Sequence, residues 1–65
     1  MKVMVNGDWR EIDPSSIEAV LDSLGYANAV VATALNGEFI PKNMRGATAL
    51  VDGDRLEVIA PMQGG

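Results

Sequence analysis

Apolar positions at the start of the chain recur every second residue: Met1, Val3 and Val5 share one face of a short strand, with Lys2 and Met4 on the other. Asn6-Gly7 follows, a pair in which both residues tolerate positive φ and which therefore predicts a hairpin turn. Trp9-Arg10-Glu11-Ile12 is the returning strand. A strict two-residue turn places Met4 and Trp9 together on the face away from Val3, whereas a longer loop changes the pairing. Trp9 then fits a satellite apolar cluster, the preferred reading, or a partner contact.

The period changes after Pro14. Ile17, Val20, Leu21 and Leu24 fall at i, i+3, i+4 and i+7, the single apolar stripe of a helix of barely two turns, with Glu18, Asp22 and Ser23 on the wet side. Ser15 with Glu18 fits a capping box, and Ser16 is an equally good cap for a helix that starts at Ile17. Gly25 fits the position just past the helix end. So short a helix does not persist alone in water and must lie across a sheet.

Tyr26 to Ala29 connect the helix to a second strand run, Val30 to Leu35. Val31, Thr33 and Leu35 share one face, with Val31 and Leu35 the expected core residues; Ala32 and Ala34 share the other. Asn36-Gly37 is another turn pair, and Glu38-Phe39-Ile40 returns until Pro41 stops it. Lys42 to Ala49 is irregular, with room for one loose helical turn. Leu50-Val51 makes a short apolar contact, and Asp52-Gly53-Asp54 turns the chain into a last strand, Arg55 to Ile59. There Leu56 and Val58 point one way, Glu57 and Ile59 the other.

The order is ββαβββ or ββαββ, an α+β plan with one helix over one face of a sheet. A helix-containing crossover lets the last strand lie parallel beside the first, and both are apolar enough for central positions. The expected fold is the ubiquitin-like β-grasp, a mixed four- to five-stranded sheet with one helix packed across one face. Residues 1–60 form that domain and residues 61–65 a flexible tail.

Composition narrows the function. Sixty-five residues make one small domain without cysteine or histidine, so disulfides and Cys/His metal sites are excluded and packing alone must hold it, as suits a cytoplasmic protein. Nine acidic against five basic residues give a formal charge of −4, which argues against nucleic acid as a partner. No apolar run reaches the length of a membrane span. There is no histidine base or cysteine nucleophile; Asp52 and Asp54 read as turn formers, and the remaining carboxylates as solvated charge. The chain therefore reads as a non-enzyme that binds no cofactor.

Two features remain. The sheet face away from the helix carries Ala32, Ala34, Phe39 and Ile59, small residues that let another surface approach and large ones that anchor it, with Glu57 placed to set register against a basic partner residue. The other feature is the ending Ala60-Pro61-Met62-Gln63-Gly64-Gly65. Pro61 ends the strand pairing, Gly64 and Gly65 can thread a channel too narrow for a side chain, and the carboxylate of Gly65 is unhindered. Four residues past Pro61 span at most roughly 13–14 Å, enough to reach a partner's active site. Alone, such an ending is more often a frayed terminus or an expression remnant, and the rest of the chain has to carry the functional reading.

The stretch Val31-Ala32-Thr33-Ala34-Leu35-Asn36-Gly37-Glu38-Phe39-Ile40-Pro41-Lys42, then Asp52-Gly53-Asp54-Arg55-Leu56-Glu57-Val58, then Gly64-Gly65, resembles the ThiS family of sulfur carriers. The opening Val3-Met4-Val5-Asn6-Gly7 is similar too. Lys42 stands where arginine is usual in that family, and Arg45 near where a bulky apolar residue is common. The resemblance implies a sulfur carrier for thiazole formation in thiamin biosynthesis. An E1-like (ThiF-like) adenylyltransferase would use ATP and magnesium to adenylate Gly65, and a cysteine desulfurase or rhodanese-type persulfide protein would supply sulfur. The resulting thiocarboxylate would serve a ThiG-like thiazole synthase, with Met62, Gln63 and Gly64 threading the partner's channel. The alternatives are a MoaD-like carrier for molybdopterin, a ubiquitin-like protein modifier, or an interaction module with an inert tail.

Overall fold

The computed structural model describes residues 1–13, 15–26 and 28–60. In chain order its elements are β1 (Lys2–Val5), β2 (Asp8–Glu11), α1 (Ile17–Ser23), β3 (Ala32–Leu35), β4 (Glu38–Ile40), a 3₁₀ turn at Lys42–Met44 and β5 (Arg55–Ile59). The five strands form one sheet in the order β2-β1-β5-β3-β4. β1 and β5 are parallel neighbours at its centre, as the crossover argument requires. Both hairpin turns have the backbone that Asn-Gly predicts, with φ of 50° at Asn6 and 51° at Asn36. The first turn is the strict two-residue form, because Val5 pairs with Asp8 and Met4 with Trp9.

The helix is defined by its ends as much as by its stripe. Ser16 is the N-cap, its Oγ accepting the Ala19 N–H at 3.2 Å. Two further first-turn N–H groups are taken by a distant loop: Ile17 donates to the Thr48 carbonyl at 3.0 Å and Glu18 to that of Arg45 at 3.3 Å. At the other end Gly25, at φ +89°, lets its N–H reach the Asp22 carbonyl and that of Tyr26 reach Leu21. This paired arrangement satisfies the last carbonyls and turns the chain back toward the sheet.

Ile17, Val20 and Leu21 from α1 pack on Val3, Val5, Leu56 and Val58 from the central strands, closed at one side by Leu50. Leu24, Tyr26, Val31, Leu35 and Ile40 are partly buried around them. Two details differ from the expected core and strand length, though not from the alternation. Thr33, flanked by the two expected core residues of its strand, is completely buried, while Val31 and Leu35 are only half so. Val30 lies outside β3 and is 80% exposed, so the strand is shorter than its apolar run.

Burying the Thr33 hydroxyl would be costly without partners, and it has two. Its Oγ1 donates to the Ile40 carbonyl at 2.9 Å and accepts from Arg45 Nε at 3.0 Å. Arg45, itself buried, also donates to the Val31 carbonyl. Its own carbonyl holds the Glu18 N–H. One residue of the irregular segment thus ties the start of α1 to β3.

Candidate docking face and carrier tail

Strand register decides which side chains share the face away from α1. Ala32 lies opposite Ile59, and Ala34 lies opposite Glu57 on one side and Phe39 on the other. Directly paired residues point to the same face, so these five are neighbours on the open side of β5, β3 and β4. Phe39 is 68% and Ile59 58% exposed. The same face continues across β1 and β2, where Met4 is cross-strand partner to Trp9, 53% exposed, and register neighbour to Arg55. The open side therefore has an apolar half around Ala34 and a second around Met4 and Trp9, separated by Arg55 and Glu57 on the central strand. Arg55 was not among the residues singled out from the sequence. Its side follows from the alternation with Leu56, once that residue is known to be in the core.

The tail's root is fixed by β5. This strand is hydrogen-bonded on both sides, and its last register pair is Ala32 with Ile59. Ala60 is exposed and ends the described chain. Pro61, Met62, Gln63, Gly64 and Gly65 lie outside the described residues, and with them the threading and sulfur-bearing positions proposed from the sequence.

Two shallow clefts border the domain. One, between α1 and the start of β3, sets Glu18 and Asp22 opposite Lys42 and Arg45 beside Tyr26 and Val31. The other runs from Met4 and Gly7 to Asn36 and Gly37 past Arg55 and Glu57. Neither is lined by a nucleophile beside a base. Among the described residues no cluster of three carboxylate, histidine or cysteine side chains could hold a metal ion. Asp52 and Asp54 are engaged in turn formation. Asp52 accepts the Lys2 N–H at 2.7 Å, and Asp54 accepts the Val51 N–H at 2.9 Å and the Asn36 Nδ2 at 3.0 Å. No helix among the described residues is long and apolar enough to cross a membrane.

A helix laid across one face of a five-stranded mixed sheet, with the last strand parallel to the first and beside it, defines a β-grasp domain. The chain belongs to the ThiS family, whose family model matches residues 3–65. It is 36% identical to the sulfur carrier protein ThiS of Thermus thermophilus over 63 residues, covering 97% of this chain and 98% of that one. It is 39% identical over 66 residues to a thiazole synthase of Paramagnetospirillum magneticum, a match that takes in all of this chain but spans only 20% of that protein's length. The crystal structure of the thiamine biosynthesis protein (ThiS) from Geobacter metallireducens superimposes with a TM-score of 0.85 at 33% identity, each chain covered completely. An NMR solution structure of a thiamine biosynthesis protein from the same organism gives 0.81 at 30% identity, covering 100% of this chain and 88% of that one. The fold and family expected from the sequence are thereby established.

Proposed function

We propose that the chain carries sulfur for thiamin biosynthesis on the carboxyl group of Gly65, as a substrate passed between enzymes. The observation that carries this reading is the family match, which runs through the whole domain to Gly65. The chemistry explains why a carrier needs partners. A carboxylate resists nucleophiles because it is charged and lacks a good leaving group. An E1-like adenylyltransferase holding ATP and magnesium would let a Gly65 oxygen attack the α-phosphorus, expelling pyrophosphate and leaving an acyl-adenylate. The terminal sulfur of a persulfide would then displace AMP. A thiol attacking the donor-side sulfur of that acyl disulfide releases the thiocarboxylate and leaves the donor as a disulfide. Sulfur so held is polarizable and nucleophilic, ready for a thiazole synthase to incorporate. The thiazole synthase relative favours that enzyme as the receiving partner.

In this reading the described domain supplies binding energy remote from the reacting atoms. Phe39 and Ile59 are the anchors, Ala32 and Ala34 allow close approach, and Glu57 meets a basic residue of the partner. Met62, Gln63 and Gly64 occupy the channel through which the terminus reaches the nucleotide. The test is the mass of the intact protein recovered from cells, together with ATP–pyrophosphate exchange by the activating enzyme. A mass gain equal to exchange of one oxygen for sulfur, located at Gly65, is expected. So is loss of exchange when one residue is added after Gly65 or Gly64 is changed to Val. Normal exchange by the extended protein overturns the proposal, and lysine-linked conjugates in place of the sulfur form would make the chain a protein modifier.

A further inference from the structure

The end of β5 is held by a side chain where a strand should be. On one side β3 runs alongside it as far as Ile59. On the other, β1 stops at Val5 and turns away at Asn6 and Gly7, after the Asn6 N–H has bonded the Leu56 carbonyl at 3.1 Å. Alternation then aims both backbone groups of Val58 at the space that β1 has left. The Asn6 carboxamide fills it: Oδ1 accepts the Val58 N–H at 2.8 Å and Nδ2 donates to the Val58 carbonyl at 3.2 Å. One amide thus imitates a further ladder residue and satisfies a donor and an acceptor that would otherwise lie part-buried and unpaired.

The other turn amide acts at the opposite end of the same strand. Asn36 Oδ1 accepts the Arg55 N–H at 2.9 Å, and its backbone N–H donates to the Arg55 carbonyl at 2.8 Å. Asn36 secures the entry to β5; Asn6 secures its exit, one residue before Ile59 and two before Ala60. We propose that the Asn6 carboxamide is a positioning group for the tail, fixing the direction in which the chain leaves the sheet toward a partner. This rests on the carrier reading for its purpose, though not for the clamp itself. A strand end that swings freely presents the tail in the binding-competent direction only part of the time. Apparent affinity falls by that fraction, while the chemical step, once the tail is seated, is unchanged.

Two substitutions isolate the group without straining the turn, since aspartate and glycine both accept the positive φ of Asn6. Asn6→Asp keeps the shape but has no donor and sets an oxygen against the Val58 carbonyl; Asn6→Gly removes the clamp. Ser16→Ala, which weakens the helix cap, serves as a control for general loss of stability. Amide hydrogen exchange at Val58, measured relative to Leu56 in the same strand, should quicken about tenfold in both Asn6 variants and stay unchanged in Ser16→Ala. In ATP–pyrophosphate exchange with the activating enzyme, the KM for the Asn6 variants should rise about fivefold at constant kcat. An unaltered Val58-to-Leu56 ratio overturns the proposal, as does a KM shift that Ser16→Ala reproduces or a fall in kcat with KM constant. If the wild-type chain supports no exchange at all, the carrier reading fails and the tail-positioning role fails with it, while the Val58 ratio still reports separately on the clamp.

Discussion

Replacing Thr33 by valine should destabilise this domain far more than the change of one atom suggests. The two side chains have nearly the same shape, so no cavity forms and no backbone need move. What changes is hydrogen bonding at a completely buried position. The Ile40 carbonyl loses its bond from Oγ1, worth about 0.5–1.5 kcal/mol. The Arg45 Nε–H loses its acceptor, and an unsatisfied buried donor costs about 1–3 kcal/mol, toward the upper end when charged. Together these give a loss of about 2–4 kcal/mol. A domain this small has about 3–5 kcal/mol to lose, so Thr33→Val should be partly unfolded without denaturant. Thr33→Ser, which keeps both bonds, should cost about 1 kcal/mol for the missing methyl group.

The assay is urea unfolding of the three proteins, followed by far-ultraviolet circular dichroism, with the midpoint compared at constant slope. A second-site change sharpens it. Arg45→Met in the valine background removes the stranded cation and should restore at least about 1 kcal/mol, because an apolar pair is better in a core than half of a polar one. Arg45 lies beside a cleft, through which its guanidinium has a route to water. A loss below about 1 kcal/mol for Thr33→Val, with no recovery from Arg45→Met, would show that the cation takes that route and that the buried pair does not hold the structure.

Ile59→Asp should weaken binding to the activating enzyme by about tenfold or more while leaving the unfolding midpoint little changed, since the side chain is exposed; isothermal titration beside urea unfolding separates the two. Trp9→Ala tests the other half of the open face by the same titration, and unchanged affinity there would confine docking to the β3–β5 half. Ser16→Ala should lower stability by about 1 kcal/mol through the lost cap, read as a shift in urea midpoint. Gly25→Ala, forced to hold φ +89° with a Cβ, should cost about 1 kcal/mol or more in the same assay.

The parts of the fold legible in the sequence are those whose cause is local. Asn-Gly makes each hairpin turn by its own backbone preference, and the spacing of Ile17, Val20, Leu21 and Leu24 makes a helix whatever lies beneath it. The choice between Ser15 and Ser16 as cap was not local. It is settled by the distant segment that pairs Ser16 with Ala49 and takes the Ser15 carbonyl with the Leu50 N–H. The burial of Thr33 was hidden for the same reason. Alternation set Thr33 on the inward face beside Val31 and Leu35, but a hydroxyl is fully buried only with partners, and one of them comes from twelve residues later, out of a loop with no periodicity. Arg45 could be seen from the sequence only as a departure from what the family resemblance leads one to expect. Ala32, Ala34, Phe39, Glu57 and Ile59 could be placed on one face because alternation needs only one fixed neighbour per strand. Their use for docking does not follow from alternation.

The placement of β5 gives a physical reason for joining these features in one domain. On the proposed carrier reading the chain end enters another protein, which works best when little of its search is wasted, so its root should be held firmly and close to the proposed docking surface. β5 is the only strand of this sheet that combines both conditions with the last described residues: it has a neighbour on each side, and its outward residues Glu57 and Ile59 belong to the open face. An edge strand would leave one side of the root unpaired. Beyond Ile59 each residue adds at most roughly 3.3–3.6 Å of reach, so the point where pairing ends sets how far Gly65 can extend from the docked face. Freeing one residue from β5 would lengthen that maximum reach by about the same distance and give the terminus a larger volume to search, so a smaller share of encounters would seat it. On the proposed carrier reading, the strand end therefore sets how much chain is free to search, while the bare glycines set whether the terminus can be threaded.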